Sequence, residues 1–196
     1  MSTIIEAQWN DFIAGDRSAF EQIYRSLLPH LYEYGMRRTA DETLVKDVIQ
    51  DLFVKLWETR EKLSGIASPK HYLLVALKNG LLNAQLRGDR LSLISEKEEF
   101  ALTFNLESQI IKTEDERIKA AKLVQALEQL TAKQREVIYL RYFEELSYEE
   151  ISTLTNISVK SLYKLNHRAM EALKEFLTLP KADIIALLSL LKFIYS

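Results

Sequence analysis

Leu162, Leu165, Ala169, Leu173 and Phe176 recur at intervals of three and four residues, the spacing of one face of an α-helix. The same period runs through most of the chain, and residues 131–176 show it best punctuated. Thr131 with Gln134 and Ser147 with Glu150 form two capping boxes, in which side chain and backbone satisfy each other where a helix begins. Ser158 is a third cap, ahead of the apolar run that starts at Leu162. The pattern predicts a helix, a tight connection, a short helix from Tyr148 to about Leu154, a turn over Thr155 to Ser158, and a longer helix. Ile151 and Leu154 are the core positions of the short one. Two helices across a four-residue turn have helix-turn-helix spacing.

The first half follows the same rule. One helix is predicted over Ile4 to Ile13, a break at Gly15-Asp16, and a second helix from Arg17 to about Thr39, with Pro29 kinking or dividing it. Asp41 caps a third. Its core positions are Leu44, Val48, Ile49, Leu52, Phe53, Leu56 and Trp57, which leaves Lys46, Asp47, Gln50, Asp51 and Lys55 on other faces. Ser68-Pro69 starts a fourth helix, an N-cap followed by proline at the first helical position, that ends near Gly88. Leu91 to Glu116 loses periodicity, mixes acids with Phe100 and Phe104, and is expected to be a linker. After Pro180 the segment KADIIALLSLLKFIYS is apolar but shorter than the roughly 20 residues of a membrane span. It is expected to pack as a helix on the second unit or on a partner.

These elements give an all-α protein of two helical domains joined by a linker, divided as 1–90, 91–116 and 117–179, with the tail at 180–196. Five glycines and three prolines in 196 residues agree with that. Cysteine is absent, which excludes disulfides and thiolate chemistry and suits a reducing interior. The opening segment MSTIIEAQWNDF lacks the cationic start and long apolar run of a secretory signal, so a cytoplasmic location is expected. His30, His71 and His167 are widely separated, and no glycine-rich phosphate loop occurs. Neither a metal, a cofactor, a small-molecule substrate nor an enzymatic activity is expected. The pairs Glu144-Glu145 and Glu149-Glu150 surround a helix start, where capping accounts for them better than acid-base catalysis.

Charge changes the picture locally. The net charge is −2, yet Ser158 to Lys181 holds five Lys/Arg against two Glu, while Leu123 to Ile157 holds three against six. Opposite the apolar stripe of the last helix lie Lys160, Ser161, Tyr163, Lys164, His167 and Arg168. An ordinary solvated helix also carries charge on its outer face. Cations sorted onto one helix of a near-neutral chain suggest instead a phosphate-facing surface, a recognition helix for the DNA major groove. A second cationic stretch, Ile66 to Arg90, combines Lys70, Lys78, Arg87 and Arg90 with Tyr72, Asn79, Asn83 and Gln85. These side chains suit stacking on bases or hydrogen bonding to them, although an ordinary core helix would also use Tyr72 inside and Asn79 outside.

Three segments together carry a family resemblance. LVKDVIQDLFVKLW (Leu44 to Trp57) resembles the core-polymerase-binding helix of bacterial RNA polymerase sigma factors of the extracytoplasmic function (ECF) group, the compact members of the sigma-70 family. HYLLVALKNGLLNAQLR resembles the next helix of that family through Tyr72-Leu73, Lys78-Asn79 and Asn83, and LSYEEISTLTNIS resembles its acidic pair, Ile-Ala and turn. Two matching units in order, with a linker between them, cover nearly the whole chain except the tail. The recognition helix departs from the family's Gly-Thr-Val-Lys-Ser-Arg-Leu: Leu165 takes a usual Arg place and Asn166 a usual apolar one.

The resemblance implies an initiation factor that joins core RNA polymerase and directs it to promoter DNA. Asp47, Gln50 and Asp51 are then expected to bind the polymerase. Tyr72, Lys78, Asn79, Asn83 and Arg87 would handle the −10 element. Lys160, Ser161, Tyr163, Lys164, His167 and Arg168 would read the −35 element. An anti-sigma factor is implied as a further partner. The residues alone also admit a helix-turn-helix regulator that binds DNA unaided, usually as a dimer, or a helical adaptor whose basic face meets an acidic protein.

Overall fold

The computed structural model describes residues 2–88, 100–102 and 114–195, with side chains for all of these except 2–4, 6, 87–88, 114–116 and 193–195. Its contacts divide the chain into two units, Met1–Lys97 and Glu98–Ser196.

In the first unit, α1 (Ser2–Ile13) stops at Gly15, whose φ of +96° lies where a side chain would be strained. The Asp16 carboxylate then accepts from Ser18 and Ala19 N–H and starts α2 (Arg17–Arg38). Asp41 caps α3 (Glu42–Thr59) by accepting from Leu44 N–H. A short 3-10 turn (Arg60–Lys62) follows, and α4 (Pro69–Gly88) completes the unit. Pro29 neither ends nor divides α2. It sits exposed on the outer face, while Ile23, Leu27, Leu31 and Tyr34 bury the inner face on both sides of it and outweigh the missing backbone bond. The core holds Trp9, Phe12, Ile49, Phe53, Leu56, Leu73, Leu74 and Leu77. Phe12 and Phe20 stack at 5.6 Å, and the Trp9 indole N–H reaches the Leu63 carbonyl.

Helices α2 and α3 meet at a point with room only for glycine. A Cβ on Gly35 would lie 2.7 Å from the Val45 methyl carbon Cγ1. Gly35→Ala should gain about 1 kcal/mol of helix propensity. It should lose more, roughly 1–3 kcal/mol, to overpacking against a β-branched neighbour. A net fall in the urea midpoint is expected, partly restored by adding Val45→Ala; an unchanged midpoint would show that the helices separate freely there.

The second unit holds α5 (Glu114–Glu128), α6 (Ala132–Ile138), a π turn (Tyr139–Phe143), α7 (Tyr148–Thr155), α8 (Val159–Leu177) and α9 (Lys181–Tyr195). Both capping boxes form, at Thr131 with Gln134 and at Ser147 with Glu150, and Ser158 caps α8 by accepting from Ser161 N–H. Helix α5 begins at Glu114, three residues ahead of Arg117, where the second domain is expected to start. Within the segment expected to be linker, Phe100 and Leu102 are buried in this unit. Arg135 Nε donates to the Phe100 carbonyl at 3.0 Å, and the Phe100 ring lies 5.5 Å from Tyr139. Phe104 and most of the linker acids fall outside the described residues.

Three further expectations are corrected. The buried stripe of α8 is Leu162, Asn166, Ala169, Met170 and Leu173, so Asn166 takes the core place and Leu165 is only half-buried. Phe176, expected in the same stripe, is 48% exposed because the stripe has rotated away before the helix ends. Glu144 and Glu145 do not serve a helix start. Glu144 is buried and accepts from the Tyr139 hydroxyl at 2.6 Å, and Glu145, at φ +58°, pairs with Lys192 of α9. Helix α9 packs against α5, α8 and the π turn, burying Ile184, Leu188 and Leu191.

Candidate nucleic-acid and polymerase interfaces

Asp47, Gln50 and Asp51 all lie exposed on α3, since their buried neighbours Val45, Ile49 and Leu52 turn the other way. They form the crest between two grooves. Gln50 lines the larger, an apolar trough of about 870 Å³ against α2, with Tyr24, Leu28, Phe53, Val54 and Trp57 among its walls. At that trough Lys46 pairs with Glu42 at 2.7 Å and the Tyr32 hydroxyl donates to the same carboxylate. The Lys46 hydrogen bond, with that of Tyr32, holds the Glu42 carboxyl below its ordinary range, and Glu42 in turn raises both partners.

Asp51 lines the smaller groove, about 330 Å³ between α3 and α4, together with Lys55, Tyr72, Asn79 and Asn83. That groove gathers three of the five residues expected at the −10 element. Tyr72 is half-buried, its ring edge-on to Trp9 at 6.4 Å, so it packs partly on the core and keeps part of its surface in the groove. Lys78 is half-buried and lies outside the groove, and the Arg87 side chain lies outside the described residues. Asp51 and Lys55 therefore share a groove with the nucleic-acid candidates. Sequence spacing on α3 alone could not show this, because it depends on where α4 packs. Gly80 sets that approach: a Cβ there would stand 2.6 Å from Val48 Cγ1.

On α8, Lys160, Ser161, Tyr163, Lys164, His167 and Arg168 are all exposed. The turn that presents them is built by Asn156, which closes α7 at φ +58°, a conformation asparagine tolerates better than most residues. Ile151 and Leu154 of α7 are buried, as is Leu162 of α8. Among the described residues, no ion pair holds Lys160, Lys164, His167 or Arg168. The Ser161 hydroxyl lies 2.8 Å from the Ser158 hydroxyl, so it serves the cap as well as the surface.

One feature of this face has no sequence signal. Tyr163 rests on Tyr148 of α7, ring centroids 4.0 Å apart, and the Arg141 guanidinium sits 5.2 Å from the Tyr148 ring. Burial, with Tyr142 nearby, raises the Tyr148 phenol above its ordinary value, and Arg141 and Asn166 oppose the shift.

A two-unit helical chain with a capped helix-turn-helix in its second unit can be compared with known families. The model for Sigma-70 region 2 matches residues 23–91, and that for Sigma-70, region 4 matches residues 120–173. The chain belongs to the sigma-70 family, in its ECF group. This sigma factor is 28% identical over 162 residues to the RNA polymerase sigma factor YlaC of Bacillus subtilis, across 83% of this chain and 94% of the relative. It is 18% identical over 173 residues to the ECF RNA polymerase sigma factor SigX of the same organism, across 84% and 87%. Among solved structures it resembles the sigma factor RpoE of Bartonella quintana, determined with the anti-sigma factor NepR. That match has a TM-score of 0.53 at 22% identity and covers 82% of this chain and 97% of the other. As a sigma factor the chain binds core RNA polymerase and directs promoter-specific initiation. No described helix is long and apolar enough to cross a membrane.

Proposed function

We propose that this sigma factor divides promoter recognition between its units, 1–90 acting on core polymerase and the −10 element and 117–179 on the −35 element, with 91–116 joining them and 180–196 as an apolar helical tail. The observation that carries this reading is the pairing of two exposed polar surfaces in one chain: the crest and groove of α3 and α4, and the cationic outer face of α8. Asp47, Gln50 and Asp51 meet the polymerase, Asp51 from the lip of the smaller groove.

At the −10 element, the groove holding Tyr72, Asn79 and Asn83 offers an aromatic edge and two amides to an unstacked base. Opening DNA costs a few kcal/mol per step, and capturing the extruded base recovers it. Lys78 and Arg87 serve phosphates nearby. At the −35 element, Lys160, Lys164, His167 and Arg168 supply donors to phosphate oxygens and guanine edges, with Ser161 and Tyr163 between them. The polymerase performs nucleotidyl transfer, and the chain itself catalyses nothing. It works in the cytoplasm beside its DNA, and an anti-sigma factor restrains it by covering the polymerase-binding surface.

Neither unit needs to bind tightly alone, because joining them makes the second contact intramolecular. A net charge of −2 fits a protein that binds DNA well only when held on polymerase. Footprinting tests this. The holoenzyme should protect two separated elements and the free chain neither at the same concentration; protection of a palindrome by the free chain would contradict it.

Lys164→Ala should weaken holoenzyme binding to promoter DNA and lower the salt slope by about one phosphate contact, leaving core association unchanged. A salt titration with the same slope as wild type would remove Lys164 from the phosphate contacts.

A further inference from the structure

We infer that Tyr163 selects a thymine in the −35 element and that Tyr148 is the positioning residue that fixes the Tyr163 ring; this rests on the assignment of α8 to the major groove. Tyr163 lies amid Lys160, Lys164 and His167, yet it is the large apolar surface of that face, 55% exposed. A solvent-facing tyrosine on a helix ordinarily samples several rotamers. Here its ring is laid on Tyr148 at a centroid distance of 4.0 Å and an interplanar angle of 35°.

Tyr148 is itself anchored. The Arg141 guanidinium packs 5.2 Å from its ring, and Arg141 Nη1 donates to the Leu146 carbonyl at 2.8 Å, tying that cation to the backbone just before α7. The buried Asn166 amide donates to the Tyr142 hydroxyl at 3.4 Å, and its dipole favours the charged form of the Tyr148 phenol. A polar side chain in the core stripe of α8 is costly, and Asn166 Oδ1 has no hydrogen-bond partner among the described residues. Its amide nitrogen is spent on the Tyr142 hydroxyl, which ties α8 to the π turn that carries Arg141. Arg141 and Tyr148 thus come from the π turn and α7 to hold one exposed ring of α8.

The chemistry of the major groove then points to the ligand. Lysine, arginine and histidine donors suit phosphates and guanine, but the apolar group presented there is the 5-methyl of thymine, and apolar side chains contact it. A ring with one face covered and its geometry preset loses little rotamer freedom on meeting that methyl.

The test uses full-length protein assembled with core polymerase. Promoters are selected from a library randomised over both elements, and each −35 thymine is then replaced by deoxyuridine, which lacks only the methyl. One replacement should weaken wild-type holoenzyme about fourfold, the effect of one methyl-sized group, and should leave Tyr163→Ala holoenzyme unchanged. Tyr163→Phe should keep the discrimination. Tyr148→Ala should lose it with the salt slope intact, and Tyr148→Phe, which keeps the ring, should restore it. Tyr163 is exposed, so its variants carry the test should Tyr148→Ala fail to fold. Deoxyuridine that is neutral at every −35 position, or equally harmful to wild type and Tyr163→Ala, would overturn the inference while leaving α8 as the −35 reader. A library that yields no −35 preference would overturn both.

Discussion

Leu188→Asp is expected to unfold the second unit. Leu188 is fully buried in α9, which lies beyond the family-matched residues 120–173 yet packs on the helices within them. Truncating a buried leucine costs about 2–5 kcal/mol. An unpaired carboxylate in the same place adds several more. A unit of this size has about 5–15 kcal/mol in total. The variant should therefore lose the second unit's cooperative melting transition and, with it, promoter binding by the holoenzyme. Leu190→Asp, at a position 37% exposed on the same helix, should stay within about 0.5 kcal/mol of wild type. Equal melting curves for Leu188→Asp and Leu190→Asp would show that the tail does not dock.

The second large effect concerns the crest of α3. Asp47→Ala removes an exposed carboxylate that no described ion pair holds, so the fold should tolerate it. A hydrogen bond to a charged group contributes about 1.5–3 kcal/mol, so affinity for core polymerase should fall roughly tenfold to a hundredfold. Far-UV circular dichroism and the melting temperature should not change. Wild-type affinity for the core enzyme in a competition binding assay would take Asp47 out of the contact.

Local chemistry made most of the fold legible. Asp41, Thr131, Ser147, Ser158 and Ser68-Pro69 announce helix starts through short side chains and fixed spacings, which depend on no distant residue. What needed the structure depends on tertiary packing. Leu165 and Asn166 are adjacent, and hydrophobicity alone assigns the first to the core; the phase of α8 against its neighbours assigns the second. Pro29 survives inside α2 because the buried side of that helix is continuous. The π turn at Tyr139–Phe143 inserts a residue that no local signal announces, and it places the Tyr139 hydroxyl on Glu144. Phe100 reads as a linker residue in the sequence because its partners, Tyr139 and Arg135, lie far along the chain.

The candidate surfaces divide the same way. The face of α8 from Lys160 to Arg168 follows from helical spacing, and all six of its residues are exposed together. The company of Asp51 with Tyr72, Asn79 and Asn83, and the stack of Tyr163 on Tyr148, bring together residues from different helices.

The central claim is that this chain gives core RNA polymerase its promoter choice. It is tested most directly by run-off transcription from a mixed promoter library, using purified core enzyme with and without the full-length protein. Transcripts should start at a shared pair of elements only when the protein is present. Start sites that are the same in its presence and absence would contradict the account.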